Sequence, residues 1–139
     1  MNLIDRIEGI ARALADREAA HVGSLTAARE TAERIHARVE EAIHRFNDIV
    51  GEKAPHLRVE VRPPRVDDKH LHAVEFDLER GRHRAVVTVK SKGEITFVGP
   101  FRQGKKEGPC LTFPVDDEEE IDAALGVFLE RFLEEAASP

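Results

Sequence analysis

Hydrophobic residues in the first fifty positions recur at alternating steps of four and three, so they fall on one face of a helix. We refer to this series as the seam. Its apolar members are Leu3, Ile7, Ile10, Leu14, Leu25, Ala28, Ala32, Ile35, Val39, Ala42, Phe46 and Ile49. Glu18 and His21 occupy the middle of the seam, where an additional four-residue step is a stutter that locally unwinds a left-handed coiled coil.

Two arrangements of this region are compatible with the residues around Gly23. In the first, Gly23 takes the left-handed position after one helix and Ser24 caps the next, which gives an antiparallel pair over 2–21 and 25–50. In the second, Gly23 lies inside one helix of ~70 Å, at a cost of ~1 kcal/mol relative to Ala. Because the seam continues through Gly23, it favours a single long or kinked helix.

A helix of that length extends beyond a small domain and needs a partner, most simply the same helix of a second copy. We therefore expect a single domain in which residues 1–50 form a helical arm with an oligomer contact and residues 51–139 form an α+β body. The expected contact residues are Leu3, Ile7, Ile10, Leu14, Leu25, Ile35, Val39 and Phe46.

After Pro55 the hydrophobic period changes to two, which is typical of half-buried strands. The alternation predicts about five strands that form an antiparallel meander. They cover 57–62, about 69–79, the residues around Val87, the residues around Ile95, and about 110–114, where Leu111 and Phe113 are expected to point inward.

The two central hairpins have registers that can be tested against side-chain pairing. A two-residue turn at Arg80 and Gly81 places Asp77 opposite Arg84, and it places apolar residues opposite each other on the inner face. This agreement of charged and apolar pairs supports the register.

The second hairpin needs a three-residue loop over 91–93. That loop pairs Val89 with Ile95 and Val87 with Phe97, whereas a two-residue loop would turn these residues to opposite faces. It also places Gly93 where three-residue loops require a left-handed residue.

The chain ends in a predicted amphipathic helix. Asp116 and Asp117 are its expected caps, and three glutamates follow at the positive end of the helix dipole. Its apolar face consists of Ile121, Leu125, Phe128, Leu129 and Phe132, which we expect to cover one face of the sheet. The order of a helix, antiparallel strands and a final helix resembles that of small dimeric secretion chaperones, which typically have a further helix between strands.

Charge is distributed unevenly along the 139 residues, whose net charge is −6. Residues 1–50 carry −2, residues 51–109 carry +4, and residues 110–139 carry −8. The chain lacks the overall basic excess of nucleic-acid-binding domains, so a nucleic-acid partner is not expected. No apolar run approaches the ~18 residues of a membrane span, and the single cysteine excludes a disulfide framework, so we expect a cytoplasmic protein.

One loop has the spacing of a phosphate-binding motif but lacks its chemistry. Residues 99–106 match most of G-x-x-x-x-G-K-[ST], yet Lys106 replaces the hydroxyl that would hold magnesium, and Pro109 prevents the helix that should follow. We therefore expect no nucleotide hydrolysis. The remaining hypothesis is that Phe101, Arg102, Lys105 and Lys106 contact an anion or an acidic partner.

His70 and His72 share a strand face, but no third ligand accompanies them, so we expect them at the rim of the sheet and predict no metal site. Cys110 has no base or helix N-terminus assigned to it and is expected to be inert. We find no catalytic set and expect no cofactor.

The sequence thus predicts a homodimeric protein-binding adaptor, chaperone-like or assembly subunit without catalysis. The alternative is a small-ligand binder or enzyme whose pocket lies between the sheet and the helices, with His70, His72 and Arg102 at its rim.

Overall fold

The computed structural model describes residues 2–67, 72–102, 104 and 108–138, and for residues 20–23 it describes the backbone only. Its elements are α1 (Leu3–Lys53), a single 3₁₀ turn (Pro55–Leu57), β1 (Glu60–Val61), β2 (Arg65–Val66), β3 (Ala73–Arg80), β4 (His83–Lys90), β5 (Glu94–Arg102), β6 (Cys110–Pro114) and α2 (Glu118–Ala136). The fold is α+β, as the sequence predicts, with an antiparallel sheet between two long helices in the chain.

The N-terminal region is one helix and not a helical hairpin. The 51 residues of α1 pass through Gly23, so the helix is about 77 Å long at ~1.5 Å per residue. The side chain of Asn2 accepts a hydrogen bond from the Asp5 N–H at 2.8 Å and caps the start. At the other end, the N–H of Ala54 donates to the carbonyl of Val50 before Pro55 turns the chain.

Within the described residues the sheet has six antiparallel strands in the order β1-β3-β4-β5-β6, and β2 pairs separately with β3. β3, β4 and β5 form the predicted meander. The predicted second hairpin is confirmed, because Val89 pairs with Ile95 and Val87 with Phe97. Gly93 has the required positive φ of 96°.

The predicted register of the first hairpin is wrong by two residues. Arg80 pairs with His83, so Gly81 and Arg82 form the turn, and Gly81 takes the positive φ of 56° at its first central position. A two-residue shift keeps every side chain on its predicted face, because the side-chain period of a strand is two. It changes the charged pairs, and Glu79 is opposite Arg84.

The strand predicted over 57–62 is also corrected. Leu57 belongs to the 3₁₀ turn, and only Glu60 and Val61 pair with β3. The side-chain amide of Asn47 in α1 bonds both the N–H and the carbonyl of Val59, at 2.8 and 2.9 Å. These bonds satisfy the Val59 backbone in place of a neighbouring strand.

Both helices cover the same face of the sheet. α1 lies over β3 and β4, and α2 lies over β5 and β4. The core between these layers contains the fully buried side chains Val74, Phe76, Leu78, Val87, Val89, Ile95, Phe97 and Phe132. Phe97 and Phe128 stack with ring centroids 5.2 Å apart, which is a favoured aromatic geometry.

The second half of α1 is part of this core. Its buried positions are Ala28, Ala32, Ile35, Val39 and Ile43, and Phe46 packs against them. These steps average about 3.6 residues, the period of a straight helix on a sheet, so Ile43 is buried in place of the predicted Ala42. The prediction that Ile35 and Val39 contact a second copy is therefore corrected, because the sheet of the same chain already covers them.

The final helix follows its prediction closely. Asp117 is the N-cap, and its side chain accepts a hydrogen bond from the N–H of Glu120. Ile121, Leu125 and Phe128 are buried on the predicted face. Asp122, on the flank of α2, forms a short ion pair with Arg38 of α1.

Candidate functional site

The first 22 residues of α1 form a helix that lies beyond the body of the protein. We call residues 3–24 the overhang, because none of its described side chains is buried and the core begins at Ala28. α1 runs from the β4–β5 turn, where Ile35 is near Ile95, to the β3–β4 turn, where Arg80 bonds the carbonyl of His56. The overhang therefore extends about 33 Å from the edge of the body.

An apolar stripe follows the overhang on one side. The stripe consists of Leu3, Ile7, Ile10 and Leu14, which are exposed by 71%, 57%, 52% and 45%. Ile4, exposed by 62%, widens the stripe on one flank. Leu25 lies where the overhang meets the body and packs partly against the core. Because large exposed apolar patches can be interaction sites, this row of side chains is a candidate interaction surface.

The opposite side of the overhang is charged and locally paired. Glu8 and Arg12 form an i,i+4 ion pair at 3.6 Å, and Asp5 lies in the first turn, where it favours the helix dipole. The helix therefore has its own cap and surface pairs, whereas its apolar side has no partner among the described residues of the chain.

The predicted basic contact is only partly within the described residues. Arg102 is exposed at the end of β5 opposite His83, and Phe101 beside it is half-buried opposite Arg84. Lys105 and Lys106 lie outside the described residues. Phe101 and Arg102 thus lie at the β3–β4 turn end of the sheet.

The two described residues of the predicted pocket rim, His72 and Arg102, do not lie close together. His70 lies outside the described residues, and His72 is exposed just before β3, at the β4–β5 turn end of the sheet. Arg102 is at the other end, because it pairs with His83 whereas His72 bonds Ser91, about 26 Å away along the strand at ~3.3 Å per residue. His72 lines a surface cavity of about 410 Å³ that is also bordered by Asp67, Thr88 and Lys90.

The cleft between the sheet and the helices is small, and the residues that line it differ from those predicted for its rim. It measures about 210 Å³, its floor includes Ile35, Ile95 and Ile121, and none of the predicted rim residues lines it. The Arg38–Asp122 ion pair lies at its mouth, and the hydrogen bond to Asp122 raises the pKa of Arg38. Ligand pockets are usually ~300–1,000 Å³, so this cleft is below that range.

The uncovered face of the sheet carries an ion-pair network near β2. Asp77, only 3% exposed, bonds Arg65 and Arg84, with its Oδ2 at 3.1 and 3.0 Å from their guanidinium nitrogens. Glu75 bonds Arg65 at 2.9 Å, and its pKa is raised because burial outweighs the attraction of Arg65. Each carboxylate has an arginine partner, which is typical of a structural network.

The edge strand β6 exposes apolar side chains that the sequence-based prediction assigned to the interior. Leu111 is 52% exposed, whereas Phe113 is half-buried and contacts Phe97 with ring centroids 5.9 Å apart. Val127 of α2 is 66% exposed. The position of β6 at the end of the strand order would have indicated this exposure, but alternation alone gives no strand order.

Within residues 2–67, 72–102, 104 and 108–138, no group of three or more His, Cys, Asp or Glu side chains is placed to hold a metal ion. Cys110 is an exposed free thiol at the start of β6. Among the described helices, none is both long and apolar enough to cross a membrane.

No family model, curated protein or solved structure matches this chain. Among the surfaces described above, the apolar stripe of the overhang consists of four large side chains that are each exposed by 45% or more.

Proposed function

We propose that the protein is a cytoplasmic homodimeric adaptor or assembly subunit that binds other proteins and performs no catalysis. The observation that carries this proposal is the apolar stripe, four large side chains exposed by about half or more on a capped helix outside the body. Burial of such side chains is worth about 1.5–3 kcal/mol each when complete, so an uncovered stripe favours association.

The overhang of a second copy is the partner that the stripe fits best. Steps of four, three and four place Leu3, Ile7, Ile10 and Leu14 as core positions of a coiled coil, where identical helices interlock. The overhang carries four acidic and three basic residues between Asp5 and Glu18, so two copies meet without a strong like-charge repulsion.

A dimer of this kind leaves the two bodies free to bind other proteins. Arg102 and the half-buried Phe101 lie at one end of each sheet, and a cation beside an aromatic ring suits an acidic segment of a partner protein. The alternative of a small-ligand pocket between the sheet and the helices is less favoured, because that cleft has only about 210 Å³.

The stripe can be tested with two charge-matched double variants of the full chain. Ile7→Lys/Ile10→Lys places two cations on the stripe, and lysine is at least as good a helix former as isoleucine. Gly9→Lys/Ala19→Lys places the same charge on the opposite side, where a Cβ at Gly9 meets no atom within 4 Å. Light scattering after size exclusion gives the number of copies in each assembly.

We expect the unmodified chain and the Gly9→Lys/Ala19→Lys control to have the same mass, above that of one 15.6 kDa chain. The stripe variant should have a smaller mass and an unchanged circular dichroism spectrum per residue. Equal masses for all three proteins would contradict the proposal.

A further inference from the structure

The outer edge of β6 presents backbone groups that no described strand satisfies. The N–H of Gly99 donates to the carbonyl of Pro109 at 2.8 Å, and the N–H of Val115 donates to the carbonyl of Gly93 at 3.0 Å. Hydrogen bonding alternates along an antiparallel strand, so Leu111 and Phe113 also bond toward β5 in the unbroken register between these points. Cys110, Thr112 and Pro114 therefore direct their backbone groups outward.

We propose that this edge pairs with β6 of a second copy, antiparallel and centred on Thr112. Thr112 of each copy then donates its N–H to the carbonyl of Thr112 in the other copy. Cys110 donates to the carbonyl of Pro114 in the other copy, twice by symmetry. The pairing makes four backbone hydrogen bonds, and the missing N–H of Pro114 falls at the two ends of the paired segment.

Side chains on the helix-covered side match in the same register. Leu111 lies opposite Phe113 of the second copy, so an exposed and a half-buried apolar side chain meet at each end of a symmetric pair. Asp122 and Leu129 line a groove with α1, and Val127 is about 200° around α2 from Leu129, so the exposed Val127 lies on the side of α2 away from α1.

Charge on the two flanks of β6 is also self-complementary. The chain before β6 is basic, with the exposed Arg102 and, outside the described residues, Lys105 and Lys106. The chain after β6 is acidic, with Asp116, Asp117 and the exposed glutamates 118–120. By sequence, an antiparallel pair of β6 strands therefore matches a basic flank with an acidic flank at both ends.

The β6 contact uses a different surface from the stripe and so goes beyond the proposed overhang dimer. The overhang homodimer is then the unit, and β6 pairing joins one homodimer to another, so the full assembly has more than two copies. The two contacts can therefore be removed separately, and the failure of either proposal is distinguishable from the failure of the other.

A disulfide cross-link tests the register in the full chain. In a Cys110→Ser background, Thr112→Cys places two thiols on a hydrogen-bonded pair with Cα atoms ~5.5 Å apart, within the range that a disulfide spans. We expect most of the oxidised protein to migrate as a covalent dimer that reductant reverses. Cys110→Ser/Lys92→Cys, with its thiol in the exposed β4–β5 turn, should cross-link much less. Equal cross-linking of both variants, or its absence at Thr112→Cys, would overturn the proposal.

A second test removes the contact without a new thiol. In the Ile7→Lys/Ile10→Lys background, Thr112→Pro deletes an outward N–H that β5 does not use, a position that edge strands tolerate. Thr112→Val keeps that N–H and only loses the side-chain bond to Thr96 at 3.1 Å. We expect two copies for Thr112→Val and one for Thr112→Pro, with similar melting temperatures. One copy in the Ile7→Lys/Ile10→Lys background itself would overturn the β6 contact and leave the stripe supported.

Discussion

The two halves of α1 have similar hydrophobic patterns but different surroundings. In the second half, Ala28, Ala32 and Val39 are covered by the sheet of the same chain. In the overhang, Leu3 and Ile7 lie at equivalent steps of the pattern and are more than half exposed. The helix is continuous between them, so the difference is in the cover and not in the secondary structure.

The hydrophobic pattern of a helix therefore does not by itself identify the surface against which the helix packs. In the covered half, the buried residues recur about every 3.6 positions, as they do on a straight helix that lies on a sheet. Ile43 is therefore buried. A coiled-coil period of 3.5 would select Ala42. The stripe of the overhang has no described partner in the chain, so its partner must come from another molecule if the stripe is covered at all.

The largest effect should come from truncating one side chain in each half. Ile43→Ala empties a buried site and should lower the free energy of unfolding by about 2–5 kcal/mol at every protein concentration. Ile10→Ala should lower stability only through weaker assembly, so its effect should depend on protein concentration. Urea denaturation followed by circular dichroism at several concentrations measures both. A concentration-independent loss for Ile10→Ala would break the comparison.

The charged face of the body should be less sensitive than its apolar core. Asp77→Asn removes a buried charge that bonds Arg65 and Arg84, and it should cost about 1–3 kcal/mol. Asp122→Asn breaks an ion pair whose partners are about half exposed and should cost less than ~1 kcal/mol. Denaturation of both variants gives the two values. The same loss for both would show that burial does not govern these pairs.

Gly23 joins the two halves, and its replacement tests whether they form one helix. Gly23→Ala should raise the free energy of unfolding by up to ~1 kcal/mol, because alanine is the better helix former. If Gly23 instead occupied a left-handed turn between two helices, alanine would be strained there and stability would fall. Thermal denaturation gives the sign directly.

The smallest effect is a pH dependence at Glu75. Its pKa in the folded protein is raised above 4.5, chiefly by burial, so the folded state holds this proton more tightly than the unfolded chain does. The stabilisation that protonated Glu75 contributes to the folded protein is therefore present at low pH. It is lost as the pH rises through the raised pKa. Relative to the unmodified protein, Glu75→Gln should gain stability as the pH rises above about 4.5. A gain that is constant with pH would contradict this assignment.

Much of the fold was predictable because local rules determine it. The three-residue loop at Gly93, the bounds of β6 and the cap at Asp117 each follow from turn, strand or helix chemistry within a few residues. The predicted register of the first hairpin was wrong by two residues. A turn at 80–81 and a turn at 81–82 place every side chain on the same face and differ only in which residues lie opposite each other.

The candidate surfaces were harder to predict, because exposure depends on tertiary neighbours. Leu3 and Ile35 occupy equivalent steps of the seam, yet only Ile35 meets the sheet. Leu111 alternates like a core residue, but β6 has a neighbouring strand on one side only among the described residues. Sequence periodicity identifies the apolar face of an element and does not identify what covers it.

Amide hydrogen exchange along α1 of the unmodified chain tests the central claim most directly, because it reads both halves of one helix in one experiment. A helical segment of about 22 residues without tertiary cover opens readily, so an uncovered overhang exchanges fast. We predict that residues 6–18 are protected, that this protection increases with protein concentration, and that protection of residues 28–50 is independent of concentration. Fast exchange over 6–18 at all concentrations, with slow exchange over 28–50, would contradict the claim that a second copy covers the stripe.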